Sequence, residues 1–284
     1  MEAKMKILKF AATLCMGLAL FGQAEAKEWK HITIATEGAF PPWNSTLPDG
    51  SLTGYEIDLY KDLCARMNAE CTMISHSWEG IIPGLLAGKF DAIIAGMSAT
   101  EKREKVISFS QSYGTTGQTF AVLRGGELED MPHSGEVFSL ETELPGAEKA
   151  VADIKDLLKG KVIGVQTASI ASIFLDKYLA DTATIREYKS TEQHDLDLLA
   201  GRVDVIMASM GYLSTAAAKE GNSDMVVSGP RFQRGFLGRG SSVGIRKEDT
   251  DLRDMFDKAI SEAKADGTIK RLSDKWFGFD VTPK

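Results

Sequence analysis

Metal-binding chemistry is what this sequence has least of. Its 284 residues carry three cysteines and four histidines. Cys15 lies in an N-terminal apolar run, and His31, His76, His133 and His194 are scattered, with no pair at ligand spacing. A metal site is therefore not expected, and no cofactor is called for. After Phe21 there is no apolar run long enough to cross a bilayer. A basic excess is also missing: 33 Lys and Arg stand against 40 Asp and Glu, a net charge of −7. Nucleic acids and anionic membranes select basic faces, so neither is expected as a partner. Gly229 to Gly244 (GPRFQRGFLGRGSSVG) is rich in glycine but lacks the strand-then-helix context of a dinucleotide fingerprint.

What is present begins with a leader. Lys4, Lys6 and Lys9 precede the apolar run Phe10 to Phe21, and Ala24-Glu25-Ala26 follows. That order predicts a secretory signal over 1–26 and a mature chain from Lys27. Its removal takes three Lys and two Glu and leaves a net charge of −8. Cys15 lacks the small-residue context of a lipoprotein cysteine, so no lipid anchor is expected. The mature chain keeps only Cys64 and Cys71, seven residues apart across a predicted helix end. In a protein that leaves the cytoplasm they predict a small disulfide loop.

The chain is organised around Leu85 to Arg103, LLAGKFDAIIAGMSATEKR. Gly88 stops a helix, Phe90 to Ala95 has strand character, and Ser98-Ala99-Thr100-Glu101 fits a capping box that would open a second helix. Arg103 carries a fork of donors that matches a carboxylate. The unit recurs: LLAGRVDVIMASM over Leu198–Met210 repeats LLAGKFDAIIAGM over Leu85–Met97. Two copies predict two similar α/β lobes that face each other. Ligands of open α/β sheets bind beyond the carboxyl ends of strands, which places Ala95, Gly96, Met97 and Ser98 and the stretch Ala208–Met210 at the site.

Strands are predicted over His31–Thr36, Cys71–Ser75, Lys161–Val165, Thr184–Tyr188 and Val203–Ala208. Helices are predicted over Tyr55–Met67, Trp78–Leu86, Ile170–Leu179, Glu192–Ala200, Leu252–Ala265 and Ile269–Trp276. Glu37–Trp43 reads as a loop at a strand's carboxyl end, and Ser169 reads as the second lobe's counterpart of the Ser98 helix start. Gly125–Lys149 is polar and weakly periodic, a surface excursion with at most a short helix. The chain leaves the first lobe near 115 and returns through the glycine-rich stretch. The expected lobes are 27–115 with 239–284, and 116–238, joined by two hinge strands.

Taken together these residues resemble the solute-binding proteins of bacterial amino-acid ABC importers, in the cluster for basic amino acids and opines. The marks are Gly54-Tyr55-Glu56-Ile57-Asp58-Leu59, Ile82-Pro83-Gly84-Leu85, Ser98 to Arg103, Ala200-Gly201-Arg202-Val203-Asp204, Gly244 to Asp249, and Lys275-Trp276-Phe277. The resemblance covers nearly the whole mature chain. It implies a two-lobe periplasmic-binding-protein type II fold, a monomer in the periplasm, a small-molecule ligand and a partner ABC permease in the inner membrane. It also implies that Cys64 and Cys71 pair, as in the histidine- and lysine/arginine/ornithine-binding members. Arg103 would take a ligand carboxylate, helped by Ser98 and Ser169. Glu37 would meet the ligand's distal cation, and Phe40 and Trp78 would wall its side chain.

One departure bears on the ligand. Ordinary members have an Asp for the ligand's α-ammonium after the strand matching Val203–Ala208, where this chain has Ser209. A hydroxyl cannot neutralise a buried ammonium. Gln166 offers both a donor and an acceptor, and Gln118 could touch an extra group. The resemblance to octopine- and nopaline-binding members extends through Gly164-Val165-Gln166, the insert before it, and Phe236-Leu237-Gly238. The expectation is an arginine-derived opine, with free basic amino acids as the alternative. An enzyme is not expected. Gly96-Met97-Ser98-Ala99-Thr100 only approaches the nucleophile-elbow pattern, and no ligand-side His stands ready to activate Ser98. A sensor or adhesin use of the fold is the third reading.

Overall fold

The computed structural model describes residues 28–283. The predicted signal peptide, its predicted cleavage site and Cys15 lie outside the described residues. Two sheets are the frame. The first runs in the order Glu70–Ser75, His31–Thr36, Ala92–Ile93, Ser241–Ile245, Ser108–Gly114. Its first three strands are parallel, and Ser241–Ile245 is antiparallel to both neighbours. The second runs Thr184–Tyr188, Val162–Gln166, Val205–Ser209, Gln118–Leu123, Met225–Gln233, Val137–Ser139. There the strand Gln118–Leu123 runs antiparallel to both its neighbours. The chain crosses between the sheets twice, over 115–117 and over 234–240.

Each sheet carries its own core. On the first, Ile32, Ile34, Leu59, Leu63, Val243 and Ile245 pack with the C-terminal helices. Thr250–Ala265 buries Leu252, Phe256, Ala259, Ile260 and Ala263, a single helical stripe, and Thr268–Phe277 buries Ile269. Each large apolar side chain withdrawn from water contributes about 1.5–3 kcal/mol. On the second, Phe120, Ile163, Val165, Phe174, Leu175, Met207 and Phe232 form the centre.

The repeated unit folds alike in both lobes. The helices Trp78–Leu86 and Thr191–Leu199 end at Ala87 and Ala200, and Gly88 (φ 71°) and Gly201 (φ 66°) follow in the left-handed region. The motif aspartates then do the same work. Asp91 accepts from the Thr33 N–H at 3.0 Å, and Asp204 accepts from the Val162 N–H at 2.7 Å. Each stands just before its own strand and ties it to the adjacent parallel one. Their role is register, not ligand contact.

Several predicted elements differ. Glu37–Trp43 is not a plain loop, since Ala39–Phe40, Asn44–Thr46 and Leu52–Thr53 form a small three-stranded sheet. Gly125–Lys149 is no mere excursion: Val137–Ser139 edges the second sheet, and Leu144–Lys155 buries Ala147, Ala150, Val151 and Ile154. The weak sequence signal there comes from alanines doing the work of larger apolar residues. The Ser98 capping box is also not made. The cap is Thr100, which accepts from the Arg103 N–H, and the helix spans only Glu101–Glu104. Ser98 instead donates to the Leu237 carbonyl at 2.7 Å and bridges to Ser241. A tertiary partner outcompetes the local one.

Cys64 and Cys71 are bonded, with Cα atoms 6.2 Å apart, tying the end of helix Tyr55–Arg66 to the edge strand Glu70–Ser75. Loop-closure entropy for so short a loop gives about 2 kcal/mol. Replacing both cysteines by serine should lower the unfolding free energy by about that amount in a urea titration, with the fold retained.

Candidate ligand-binding site

Between the carboxyl ends of the two repeated strands lies a cleft with about 760 Å³ of empty space, part of it open to solvent. Eleven of the twelve residues singled out from sequence line it: Glu37, Phe40, Trp78, Ala95, Gly96, Ser98, Arg103, Gln118, Gln166, Ser169 and Ser209. Met97 does not. Its side chain is buried in the apolar cluster with Ile93 and Ile107, away from the cleft.

Contacts across the cleft are numerous. Gln166 Nε2 donates to Glu37 Oε1 at 2.6 Å, and Trp78 Nε1 donates to the Thr167 carbonyl at 3.1 Å. Thr191 Oγ1 donates to the Ala39 carbonyl at 3.1 Å, and the Phe40 ring stacks on Tyr212 with centroids 5.2 Å apart. Tyr212 is itself held by its hydroxyl, which donates to the buried Asp195 carboxylate at 2.5 Å. The two lobes are closed on each other.

Arg103 is 9% exposed. Nη1 donates to the Ser98 carbonyl at 2.9 Å and Nη2 to the Ala168 carbonyl at 3.0 Å, while the guanidinium lies 5.2 Å from the Trp78 ring centroid. Burial alone lowers its pKa to about 10, so it remains a cation at neutral pH. Among the described residues no carboxylate offsets that burial.

The loop that presents Glu37 is tied through Asn44 to a second acid, Glu56. Glu56, fully buried, accepts from Asn44 Nδ2 at 2.7 Å, from the Gly96 N–H at 2.7 Å, and from the Tyr113 hydroxyl. Asn44 Oδ1 in turn accepts from the Gly38 N–H at 2.7 Å. Desolvation raises the Glu56 carboxyl above the usual range, and the three donors pull it back. Desolvation also pushes Glu37 up to about 7; the Gln166 bond opposes the rise and the charge of Glu56 adds to it.

In the second lobe, Ser169 and Ser209 are helix N-caps that accept from the Ser172 and Tyr212 N–H groups. Glu37 is the single acid among the described residues that line the cleft, and Arg103 and Arg234 are the cations. Sequence reasoning missed Arg234, Thr116, Thr191 and Leu237. Arg234 lies in the glycine-rich crossing, where a left-handed backbone at a non-glycine residue leaves no sequence signal.

A profile of the bacterial extracellular solute-binding proteins, family 3, matches residues 32–279. The chain belongs to that family. It is 44% identical to an octopine-binding periplasmic protein of Rhizobium meliloti, over 97% of this chain and all of that one. It is 30% identical to an L-arginine-binding protein of Pseudomonas aeruginosa, over 89% and 90% of the two chains. A crystal structure of a periplasmic His/Glu/Gln/Arg/opine family-binding protein from Silicibacter pomeroyi in complex with lysine superposes with a TM-score of 0.68 at 29% identity, covering 89% of this chain and all of that one. The fold is the two-lobe, type II form of the periplasmic binding proteins.

The Glu37 shift has a pH consequence. A carboxyl raised from 4.5 to about 7 favours this closed conformation most below pH 4.5, and that contribution is lost as pH rises through 7. The melting temperature of the ligand-free protein should therefore fall between pH 5 and 8. Glu37→Gln should flatten that profile, as followed by differential scanning calorimetry.

Proposed function

We propose that this protein is a periplasmic receptor that closes on one arginine-derived opine of the octopine class and delivers it to an ABC importer. One observation carries the ligand reading. The cleft holds a single acid, Glu37, among the described residues, and Ser209 stands where a second would meet a free α-ammonium. An opine carries its amine substituted and flanked by two carboxylates of its own, so it does not need that second acid. The octopine-binding relative, at 44% identity, supports the same choice.

The roles follow from the chemistry. Arg103, a buried cation with no offsetting acid among the described residues, takes the arginine carboxylate. Glu37 meets the guanidinium, and Gln166 fixes the carboxylate's orientation. Trp78 backs Arg103 as well as walling the ligand, and Phe40 forms the opposite wall from its stack on Tyr212. Ala95 and Gly96 form the floor, Ser98 and Ser169 add hydroxyls near the carboxylate, and Gln118 reaches the group added on the amine. Because these residues come from both lobes, a ligand that touches all of them favours the closed state over the open one. In this reading the protein is a monomeric receptor rather than an enzyme: the relatives at 44% and 30% identity are binding proteins, and Ser98 donates its hydroxyl proton to the Leu237 carbonyl. The alternative, a receptor for free basic amino acids, draws its support from the arginine-binding relative.

Calorimetric titration of the refolded, ligand-stripped mature protein with octopine, nopaline and L-arginine decides between them. Tight opine binding with weak arginine binding is expected; tight arginine binding would select the alternative. Charge-assisted hydrogen bonds contribute about 1.5–3 kcal/mol each. Glu37→Ala should therefore weaken octopine about 10- to 100-fold, and Arg103→Ala by about 100-fold or more. Unchanged affinity in both variants would sink the site assignment.

A further inference from the structure

Arg234 stands out on three counts. It lines the same cleft as Glu37 and Arg103, from the crossing that leaves the second sheet. Its backbone sits at φ 65°, ψ −166°, a conformation that side-chain-bearing residues rarely adopt. It also lies in a stretch whose other positive-φ positions, Gly229, Gly235, Gly238 and Gly240, are glycine. Gly235 at φ 56° has no room for a side chain, since a Cβ there would come 2.7 Å from the Leu140 carbonyl oxygen. Gly238 at φ 84° passes so close to Ala99 that a Cβ would meet its carbonyl oxygen at 2.4 Å. At 234 the backbone makes a similar demand, and the residue is arginine.

The position is also fixed. Gln233, just before it, accepts from the Leu140 N–H at 2.9 Å, and the Arg234 carbonyl accepts from the Leu237 N–H at 3.2 Å. Leu237 in turn takes the Ser98 hydroxyl across the cleft. The strained backbone at 234 thus carries an arginine that lines the cleft.

The ionisable residues lining the cleft, among the described ones, are Glu37, Arg103 and Arg234: one acid and two guanidinium groups. Free arginine offers one carboxylate and two cations, the wrong balance for those walls. An arginine joined through its α-nitrogen to a carboxyalkyl group offers one guanidinium and two carboxylates. Its secondary ammonium sits between those two carboxylates and is neutralised within the ligand. We infer that Arg234 is the counter-charge for the ligand's second carboxylate and so the residue that selects an opine over its parent amino acid. This rests on the opine reading given above. It divides the labour of the cleft: Glu37 reads the guanidinium, Arg103 the carboxylate of the arginine half, and Arg234 the carboxylate that the condensation adds.

The test uses two ligands that differ only in that carboxylate, octopine and Nα-ethyl-L-arginine, titrated by calorimetry into the mature wild-type, Arg234→Gln, Arg234→Lys and Arg234→Gly proteins. Wild type should prefer octopine. That preference, as a ratio of dissociation constants, should collapse at least tenfold in Arg234→Gln and Arg234→Gly and survive in part in Arg234→Lys. Glycine suits the observed backbone, so Arg234→Gly should melt no lower than wild type. A retained ratio in Arg234→Gln, with wild type binding octopine tightly, overturns the role of Arg234 and leaves the opine reading standing. Failure of wild type to bind octopine overturns both. A lower melting temperature for Arg234→Gly would mean that the side chain is kept for stability, and it would overturn the inference as well.

Discussion

The binding face of the first lobe hangs from one buried carboxylate. Glu56 gathers the amide of Asn44, the backbone N–H of Gly96 and the hydroxyl of Tyr113. Those three donors come from the small sheet, the end of the repeated strand and the strand that leads to the first crossing. Through Asn44 the grip extends to Gly38, and so to the loop that presents Glu37. A fully buried carboxylate with fewer partners would be costly; with three, it is a rigid hub. Loss of the Glu56 side chain would leave several buried polar groups without partners and release the cleft floor along with the Glu37 loop.

The cleft itself works by opposed discomforts. Burial weakens the hold of Arg103 on its proton and strengthens that of Glu37, because each charge is withdrawn from water. Across the cleft Arg103 bonds the Ala168 carbonyl and Glu37 the Gln166 amide, both neutral partners, while Trp78 to Thr167 and Thr191 to Ala39 join neutral groups throughout. These bonds orient the halves without pairing either charge with its opposite. In the proposed function that pairing is the ligand's part.

Much of this was legible in the sequence because it rests on local patterns. The LLAG repeat announced two like units, and in each a glycine ends the helix in the left-handed region, as its place predicted. The helices after 250 were plain from their apolar stripes, and the paired cysteines from their number and compartment. What could not be read depended on distant partners. Ser98 looked like a cap because its neighbours in sequence suit one; the carbonyl it bonds belongs to Leu237, 139 positions away. Met97 shares its stretch with four cleft residues and differs from them only in the face it presents. Arg234 sat in a glycine-rich crossing that carries no periodicity, and its significance lies in a backbone angle.

The order of strands in the first sheet also sets the order in which the molecule can be completed. The second sheet is built wholly from residues 118–233, one uninterrupted stretch. The first has a gap between Ala92–Ile93 and Ser108–Gly114 that only Ser241–Ile245 fills, and the helices that cover it come later still. Contacts of such sequence separation carry a large loop-closure cost before they return any stability. The lobe that emerges first from the ribosome is thus finished last. Until then the edges of Ala92–Ile93 and Ser108–Gly114 remain unpaired, an invitation to aggregation.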